Sequence, residues 1–211
     1  MRCRHGVPEP GEHWDTVYAT KSTGEVSWFQ SEPATSLRLL GQSLSAPGSL
    51  IDVGAGDSTL VDFLLDAGWT DATILDVSVE ALERVRNRLG GRSETVNFVA
   101  VDVRSWQPER TYDVWHDRAA FHFFVDASER DRYVEMATAA VVSGGVVVLG
   151  SFATDGPDRC SGLPTARYDA DDLGRVFGAR FILEHAEREA HTTSWGVVQA
   201  FTWVVLRRSV G

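Results

Sequence analysis

The sequence predicts an α/β domain on a doubly wound, mostly parallel sheet that finishes in an antiparallel β-hairpin. Three observations carry that prediction. Short apolar runs alternate with helix-length amphipathic segments, acids stand at the ends of successive runs, and the last two runs leave no room for a helix between them.

The elements follow in order. Residues 11–46 read as helical and carry Trp14, Tyr18, Trp28 and Phe29, with Pro33 opening a helix through Leu37, Leu39, Leu40 and Leu44. Pro47-Gly48 turns the chain, and Ser49-Leu50-Ile51-Asp52-Val53 reads as a buried strand. Gly54-Ala55-Gly56-Asp57 leads into a helix over 58–67, where Leu60, Phe63, Leu64 and Ala67 keep helical spacing. Residues 72–76 are a second strand, followed by a helix over 79–89 that Gly90-Gly91 stops. Residues 97–102 and 112–116 supply the third and fourth strands, 128–142 a helix, and 145–150 the fifth strand. Residues 180–189 and 199–207 are strand-like and pair as a hairpin around His191-Thr192-Thr193-Ser194-Trp195-Gly196. Without a repeat or a low-complexity linker, one folding unit is expected: a helical lid over 1–46 on a core of 47–211.

Composition narrows the partners. At 211 residues, 43% hydrophobic and 24% charged, the chain can bury a core and is not a disordered segment. Twenty basic against thirty acidic residues give a formal charge of −10, which argues against a general nucleic-acid binder. Cys3 and Cys160 are too few for a disulfide framework and suit a reducing cytosol. No apolar run reaches the roughly 18 residues of a membrane span. Met1-Arg2-Cys3-Arg4-His5-Gly6 lacks the apolar segment of a secretory signal. A cytoplasmic protein with no membrane partner is the expectation.

The chemistry gathers at the strand ends. Gly54-x-Gly56, between a strand and a helix, lets backbone approach a charged ligand and presents unpaired N–H groups to it. Thr59 stands where a dinucleotide site would place a third glycine, which counts against NAD. Asp76 closes the second strand, where a carboxylate accepts hydrogen bonds from ribose hydroxyls. Asp102 closes the third strand and His116-Asp117 the fourth. Ligands of open α/β sheets bind outside the carboxyl ends of the strands, so these acids converge on one crevice. The competing reading makes each acid a helix cap or turn residue.

These motifs resemble those of the class I S-adenosylmethionine (SAM)-dependent methyltransferases, from about His13 to Arg208. The glycine motif is Ile51-Asp52-Val53-Gly54-Ala55-Gly56-Asp57-Ser58, and Leu75-Asp76-Val77-Ser78 matches the ribose-binding segment. Val101-Asp102-Val103 matches the adenine-binding motif, and Tyr112-Asp113-Val114-Trp115-His116-Asp117-Arg118 the fourth-strand motif. Val142-Ser143-Gly144-Gly145 departs from the family, which often has proline before the paired glycines. The resemblance implies a Rossmann-like, seven-stranded sheet and SAM as cofactor. It implies that Asp52 orients the methionine amino group and that Gly54 and Gly56 admit the methionine portion. Asp76 and Val77 would hold the ribose, Asp102 and Val103 the adenine, and Asp117 would join the cofactor-binding set. A cleft rimmed by carboxylates and aromatic faces suits a positively charged sulfonium.

The acceptor side is less determined. His13-Trp14-Asp15-x-x-Tyr18 and Glu25-Val26-Ser27-Trp28-Phe29-Gln30 look like a subfamily's lid, with Trp14 and Trp28 closing over the cofactor. Asp117-Arg118-Ala119-Ala120-Phe121 is similar to a segment of thiopurine and related thiol methyltransferases. His116, His122 and Arg118 follow the fourth strand and are the candidate catalytic residues, an imidazole taking a proton and the guanidinium meeting an anion. The alternative is a structural histidine bonded to loop backbone. Metal-ligand spacings such as CxxC and HxxxH are missing, so no metal is expected. Residues 155–164 form a polar loop over the crevice, with Arg159, Ser161 and the unassigned Cys160. Three functions compete. The first is methylation of a small-molecule thiol, amine or hydroxyl by in-line displacement. The others are methylation of a protein lysine and a non-catalytic SAM-binding module.

Overall fold

A computed structural model of the protein describes residues 10–210; Cys3 and the stretch Met1 to Gly6 discussed above lie outside them. Helix α1 (Pro10–Thr20) and helix α2 (Ala34–Ser43) precede strand β1 (Ser49–Val53). The alternation continues with α3 (Leu60–Asp66), β2 (Asp71–Asp76), α4 (Val79–Leu89), β3 (Val96–Ala100), β4 (Tyr112–Arg118) and α5 (Ala127–Ala140). Strand β5 (Val141–Phe152) leads to a two-residue ribbon, β6 (Arg159–Cys160) and β7 (Leu163–Pro164). Helix α6 (Ala170–Phe177), β8 (Phe181–Thr192) and β9 (Val198–Arg208) end the chain. The main sheet runs β3-β2-β1-β4-β5-β9-β8. Strands β1 to β5 are parallel, and β9 joins β5 and β8 antiparallel, as the missing helix between the last two runs required. Among the described residues no helix is long and apolar enough to cross a membrane.

Period-two alternation assigns each strand residue to a face. Ile51, Val53, Trp115, Val147, Leu149, Val204 and Leu206 point to one side, where α5 and α6 cover them with Tyr133, Ala137, Leu173 and Phe177. Leu50, Val114, Val146, Val148 and Val205 point to the other, under Leu39 and Leu40 of α2 and Leu60 and Leu64 of α3. The order of strands reverses between β1 and β4, the place where an α/β sheet opens a crevice.

The structure departs from the sequence reading in three places. The stretch expected as helix over 11–46 is two helices, separated by a short 3-10 turn (Thr23–Glu25) and irregular chain. From this stretch His13, Trp14, Tyr18 and Trp28 line the large cavity, whereas α2 packs into the core through Leu39 and Leu40. Helix α6 was not anticipated: its signal is a capping box, Asp169 accepting from the Asp172 N–H at 2.7 Å, ahead of an i,i+4 pair, Leu173 and Phe177. Strand β3 stops at Ala100, so Asp102 lies in the turn beyond it.

One buried polar chain ties β4 to α5. Trp115 Nε1 donates to Tyr133 Oη at 2.8 Å, and Tyr133 Oη donates to Asp117 Oδ2 at 2.6 Å. Burial pushes the Asp117 carboxyl up to about 6, against the pull of the Tyr133 hydroxyl and the Ala120 and Phe121 N–H groups. An unfolded aspartate titrates near 4, so folding takes up a proton here between about pH 4 and 6, and this contribution to stability falls as pH rises through that window. Tyr133→Phe removes a donor to the ionised form. It should destabilise the chain by about 1–3 kcal/mol in urea unfolding, more at pH 7 than at pH 5. An equal loss at both pH values would mean that the bond does not depend on the charge of Asp117.

Candidate active site

A cavity of about 500 Å³ opens at the carboxyl ends of β1, β2 and β4. A smaller one of about 30 Å³ adjoins it through Trp28, Gly54 and Arg118, which line both. The floor begins at the turn after β1, where Gly54 and Gly56 take φ of +65° and +55°, a region closed to most side chains. A Cβ on Gly54 would stand 2.3 Å from the Ala120 Cβ, and one on Gly56 2.2 Å from Tyr18 Oη. The glycines are thus required by the β4 loop and by α1, which press directly on the turn. Gly54 lines the large cavity and Gly56 does not.

Asp76 lies at the end of β2 on the cavity wall. Its Oδ2 accepts from the Gly56 N–H and its Oδ1 from the Ser78 N–H, both at 2.7 Å, and each oxygen keeps capacity for a further donor. Burial pushes its pKa up to about 6, against these two hydrogen bonds. Ser78 donates to Asp15 Oδ1 at 2.6 Å and accepts from the Ala81 N–H, so the N-terminus of α4 also holds α1 in place. Val77 and Val103 line the same wall. Asp102 does too, but its carboxylate is gripped by Arg104, whose Nε lies 3.0 Å from both oxygens and whose Nη2 lies 2.5 Å from one. Burial raises the Asp102 pKa, yet the Arg104 hydrogen bonds and charge leave it net lowered. Arg104 also bridges to Glu129, which stiffens the wall. It was missed in the sequence, where an arginine two residues after the acid was the available signal.

The acids and histidines of β1 and β4 divide by strand parity. Asp52 and His116 are register partners in the parallel pair and point to the α2 side. His116 Nδ1 lies 2.6 Å from Asp52 Oδ1, and its Nε2 2.9 Å from Ser36 Oγ of α2, with all three residues buried. Both imidazole nitrogens are therefore occupied, and His116 borders only the small cavity, as does Asp52. Asp117 points the opposite way, outside both cavities, where its Oδ1 accepts from the Ala120 and Phe121 N–H groups at 3.0 and 3.3 Å. The expected cofactor contact at Asp117 gives way to a structural one, because one residue along a strand is the other face of the sheet.

His122 also stands away from the cavity. It is fully buried and stacked on Phe152, with ring centroids 4.0 Å apart. Burial, with the nearby Arg118 charge, lowers its pKa to about 3, so its ring is neutral and cannot exchange protons with a ligand it does not reach. Arg118 does reach the cavity, and its Nη1 donates to the Trp28 carbonyl at 2.7 Å. The roof is aromatic. Trp14 packs edge-to-face on Trp28 and Phe123 at 5.7 and 5.0 Å, and Tyr18 on Trp28 at 6.2 Å. His13 joins these rings on the lining, with Nε2 buried and unpartnered. Ser161, Gly162 and Leu163, at the β6–β7 turn, close the far edge. Cys160 is buried beside them, which pushes its thiol pKa up. Among the described residues no cluster of three or more His, Cys, Asp or Glu could hold a metal ion.

Residues 50–145, the span that holds the glycine turn, Asp76, Asp102 and the β4 loop, match the family described as "Methyltransferase domain". The chain carries a methyltransferase domain. Its fold and motifs are those of the class I SAM-dependent methyltransferases, whose cofactor is SAM. A malonyl-[acyl-carrier protein] O-methyltransferase 2 of Ilyobacter polytropus is 20% identical over 136 residues, 64% of this chain and 51% of that protein. The eEF1A lysine and N-terminal methyltransferase of Mus musculus is 22% identical over 111 residues, 51% of this chain and 15% of that protein. The chain thus spans about half, or less, of the length of these curated relatives. In structure it is similar to the 1,6-didemethyltoxoflavin-N1-methyltransferase of Burkholderia thailandensis, solved with bound 1,6-didemethyltoxoflavin and S-adenosylhomocysteine (SAH). The TM-score is 0.67 at 20% identity, over 92% of this chain and 81% of that one. At that identity the likeness is one of fold.

The residues present fit the cofactor. Asp76 retains acceptor capacity on both oxygens, Gly54 leaves room beside the turn, and aromatic rings face the cavity. Ionised Asp76 is the better acceptor for ribose hydroxyls, so SAH affinity should rise with pH through about 6 and then level off. Asp76→Asn should flatten that profile and weaken binding by about 1.5–3 kcal/mol at pH 8, measured by calorimetry. Gly56→Ala forces both a left-handed alanine and a collision with Tyr18. It should lower stability by about 1–2 kcal/mol, and adding Tyr18→Phe should return part of that loss in thermal unfolding. No recovery in the double variant would show that the turn and α1 are not in register-tight contact.

Proposed function

We propose that this protein transfers a methyl group from SAM to a thiol, amine or hydroxyl of a small molecule. The observation that carries the reading is one cavity with two dissimilar sides. Asp76, Val77, Asp102 and Val103 line it on the β2 and β3 side, Arg118 and Phe123 line it after β4, and Trp14 and Trp28 roof it. Its volume of about 500 Å³ lies within the range of about 300–1,000 Å³ usual for small-molecule sites.

Bound SAM supplies an electrophilic methyl on a positively charged sulfur. The chain's own residues hold, orient and shield. Asp76 and Val77 would hold its ribose, and Val103 with the Asp102–Arg104 pair its adenine. Asp52, fixed by His116, would meet its amino group from the small cavity. Trp14, Trp28 and Phe123 exclude water and offer ring faces to positive charge. The proton released by the acceptor passes to water or to His13, the imidazole on the lining among the described residues. His116 and His122 have no part in that transfer.

A second reading, a protein lysine as acceptor, is favoured by the exposed Trp195, Val197 and Val198 at the β8–β9 turn. That turn touches the segment beside the roof through Ser194 Oγ to the Gly24 carbonyl at 2.6 Å. The name of the mouse relative points the same way. Incubation with methyl-labelled SAM and fractionated cell extract separates the readings. Label is expected in the small-molecule fraction, and the Trp195→Ala variant should transfer it at an undiminished rate. Label confined to protein, lost in Trp195→Ala, would establish the lysine reading. Intact SAH binding with label in neither fraction would make the chain a non-catalytic SAM-binding module.

A further inference from the structure

We infer that this site recognises the base of its cofactor by the ring and not by the 6-amino group, because Arg104 already occupies the Asp102 carboxylate. The inference rests on the reading that places adenine beside Asp102 and Val103, and adds to it what that part of the site discriminates. It starts from a count of acceptor positions. An ionised carboxylate offers about four. Oδ1 of Asp102 accepts from the Arg104 main-chain N–H at 2.9 Å and from Arg104 Nε at 3.0 Å. Oδ2 accepts from Arg104 Nη2 at 2.5 Å and shares the Nε–H, also at 3.0 Å. Two donors reach each oxygen. Asp76, on the same cavity wall, takes one main-chain N–H on each oxygen and keeps room for another.

Arg104 is held where it is. Its Nη1 pairs with Glu129 of α5, and its carbonyl accepts from Arg132 Nε of the same helix at 3.0 Å. Asp102 is fixed as firmly, its own carbonyl accepting from the Ser105 and Trp106 N–H groups at 2.9 and 3.0 Å. All three guanidinium nitrogens therefore meet a carboxylate, with the bidentate edge on Asp102. A 6-amino group would reach an Asp102 lone pair only by displacing a bond between two charged partners. The bond gained would have a neutral donor and be weaker than the one lost.

The surroundings suit a base bound without that contact. Val101 and Val103 flank Asp102 in sequence and line the cavity, as does Phe124, whose ring centre lies 5.9 Å from the guanidinium carbon. These groups offer a flat ring apolar contact. The Asp102 and Arg104 side chains remain 26% and 31% exposed, so water reaches this rim and solvates an amino group that the protein leaves alone.

The test is calorimetry on the full chain with SAH and with its analogue that carries hydrogen in place of the 6-amino group. The wild-type chain is expected to bind the two within about threefold of each other. Arg104→Met frees the carboxylate, and should bind SAH about tenfold or more tightly than the analogue, the scale of a hydrogen bond to a charged acceptor. Arg104→Lys, whose single ammonium covers fewer acceptor positions and guards against misfolding, should show a smaller gain in the same direction. Asp102→Ala added to Arg104→Met should remove the gain, which a merely structural role of Arg104 would not produce. A wild-type preference for SAH beyond about threefold would overturn the proposal. So would variants at Arg104 that bind SAH and gain no preference. A wild-type chain unable to bind SAH would overturn the methyl-transfer reading and this proposal together, whereas SAH binding that depends on the 6-amino group overturns this proposal alone.

Discussion

The carboxylate of Asp117 sits at the end of β4 and on the far face of the sheet from the histidine before it. It accepts the Ala120 and Phe121 N–H groups on one oxygen and the Tyr133 hydroxyl on the other. Those bonds fold the chain back at once after the strand, with Ala119 held at φ +68°, a conformation that costs an alanine about 1–2 kcal/mol. The Ala119 N–H is secured in turn by the Gly150 carbonyl at 2.9 Å. The tight return sets Ala120 against Gly54, so the turn after β1 and the loop after β4 form one continuous floor. The cavity's shape depends on this contact, and the contact depends on a buried acid that lies outside both cavities.

The opposite face carries a second polar chain, Ser36–His116–Asp52, that joins α2, β4 and β1. Parallel register places Asp52 and His116 side by side, and equal parity points both beneath α2. Half of the Asp52 carboxylate is thereby fixed. Two buried networks back to back on one strand pair explain how a sheet of Val and Leu strands can present charged groups at its rim without losing its packing.

Electrostatics divide the cavity. On the β2 and β3 side Asp76 is pushed up to about 6 by burial, and Asp102 is held low by the adjacent Arg104. After β4 stands Arg118 without an acid of its own. Between them the aromatic roof is tied to α4 through Asp15 and Ser78 and to the glycine turn through Tyr18 and Gly56. The roof and floor therefore meet beside Asp76, which accepts from the N–H groups of both Gly56 and Ser78.

The sequence by itself determined the α/β class, the seven strands and the hairpin, and it picked out Asp76 and Asp102, which line the cavity. Each of these is local: apolar periodicity marks a strand, the glycines mark the turn, and Asp76 and Asp102 stand at or just past a strand end whatever the rest of the chain does. Only the tertiary structure decided the roles within His116-Asp117-Arg118. Three consecutive residues alternate across a sheet, and which face holds α2 and which holds α5 is set by packing far away in sequence. It sent His116 to Asp52 and Ser36, Asp117 to Tyr133, and Arg118 into the cavity. His122 was equally illegible, since its stacking on Phe152 comes from β5, thirty residues further along. The pairing of Arg104 with Asp102 and the division of residues 11–46 into roof and core helix rest on side-chain reach and on buried faces. Those are properties of a folded neighbourhood, and no spacing along the chain records them.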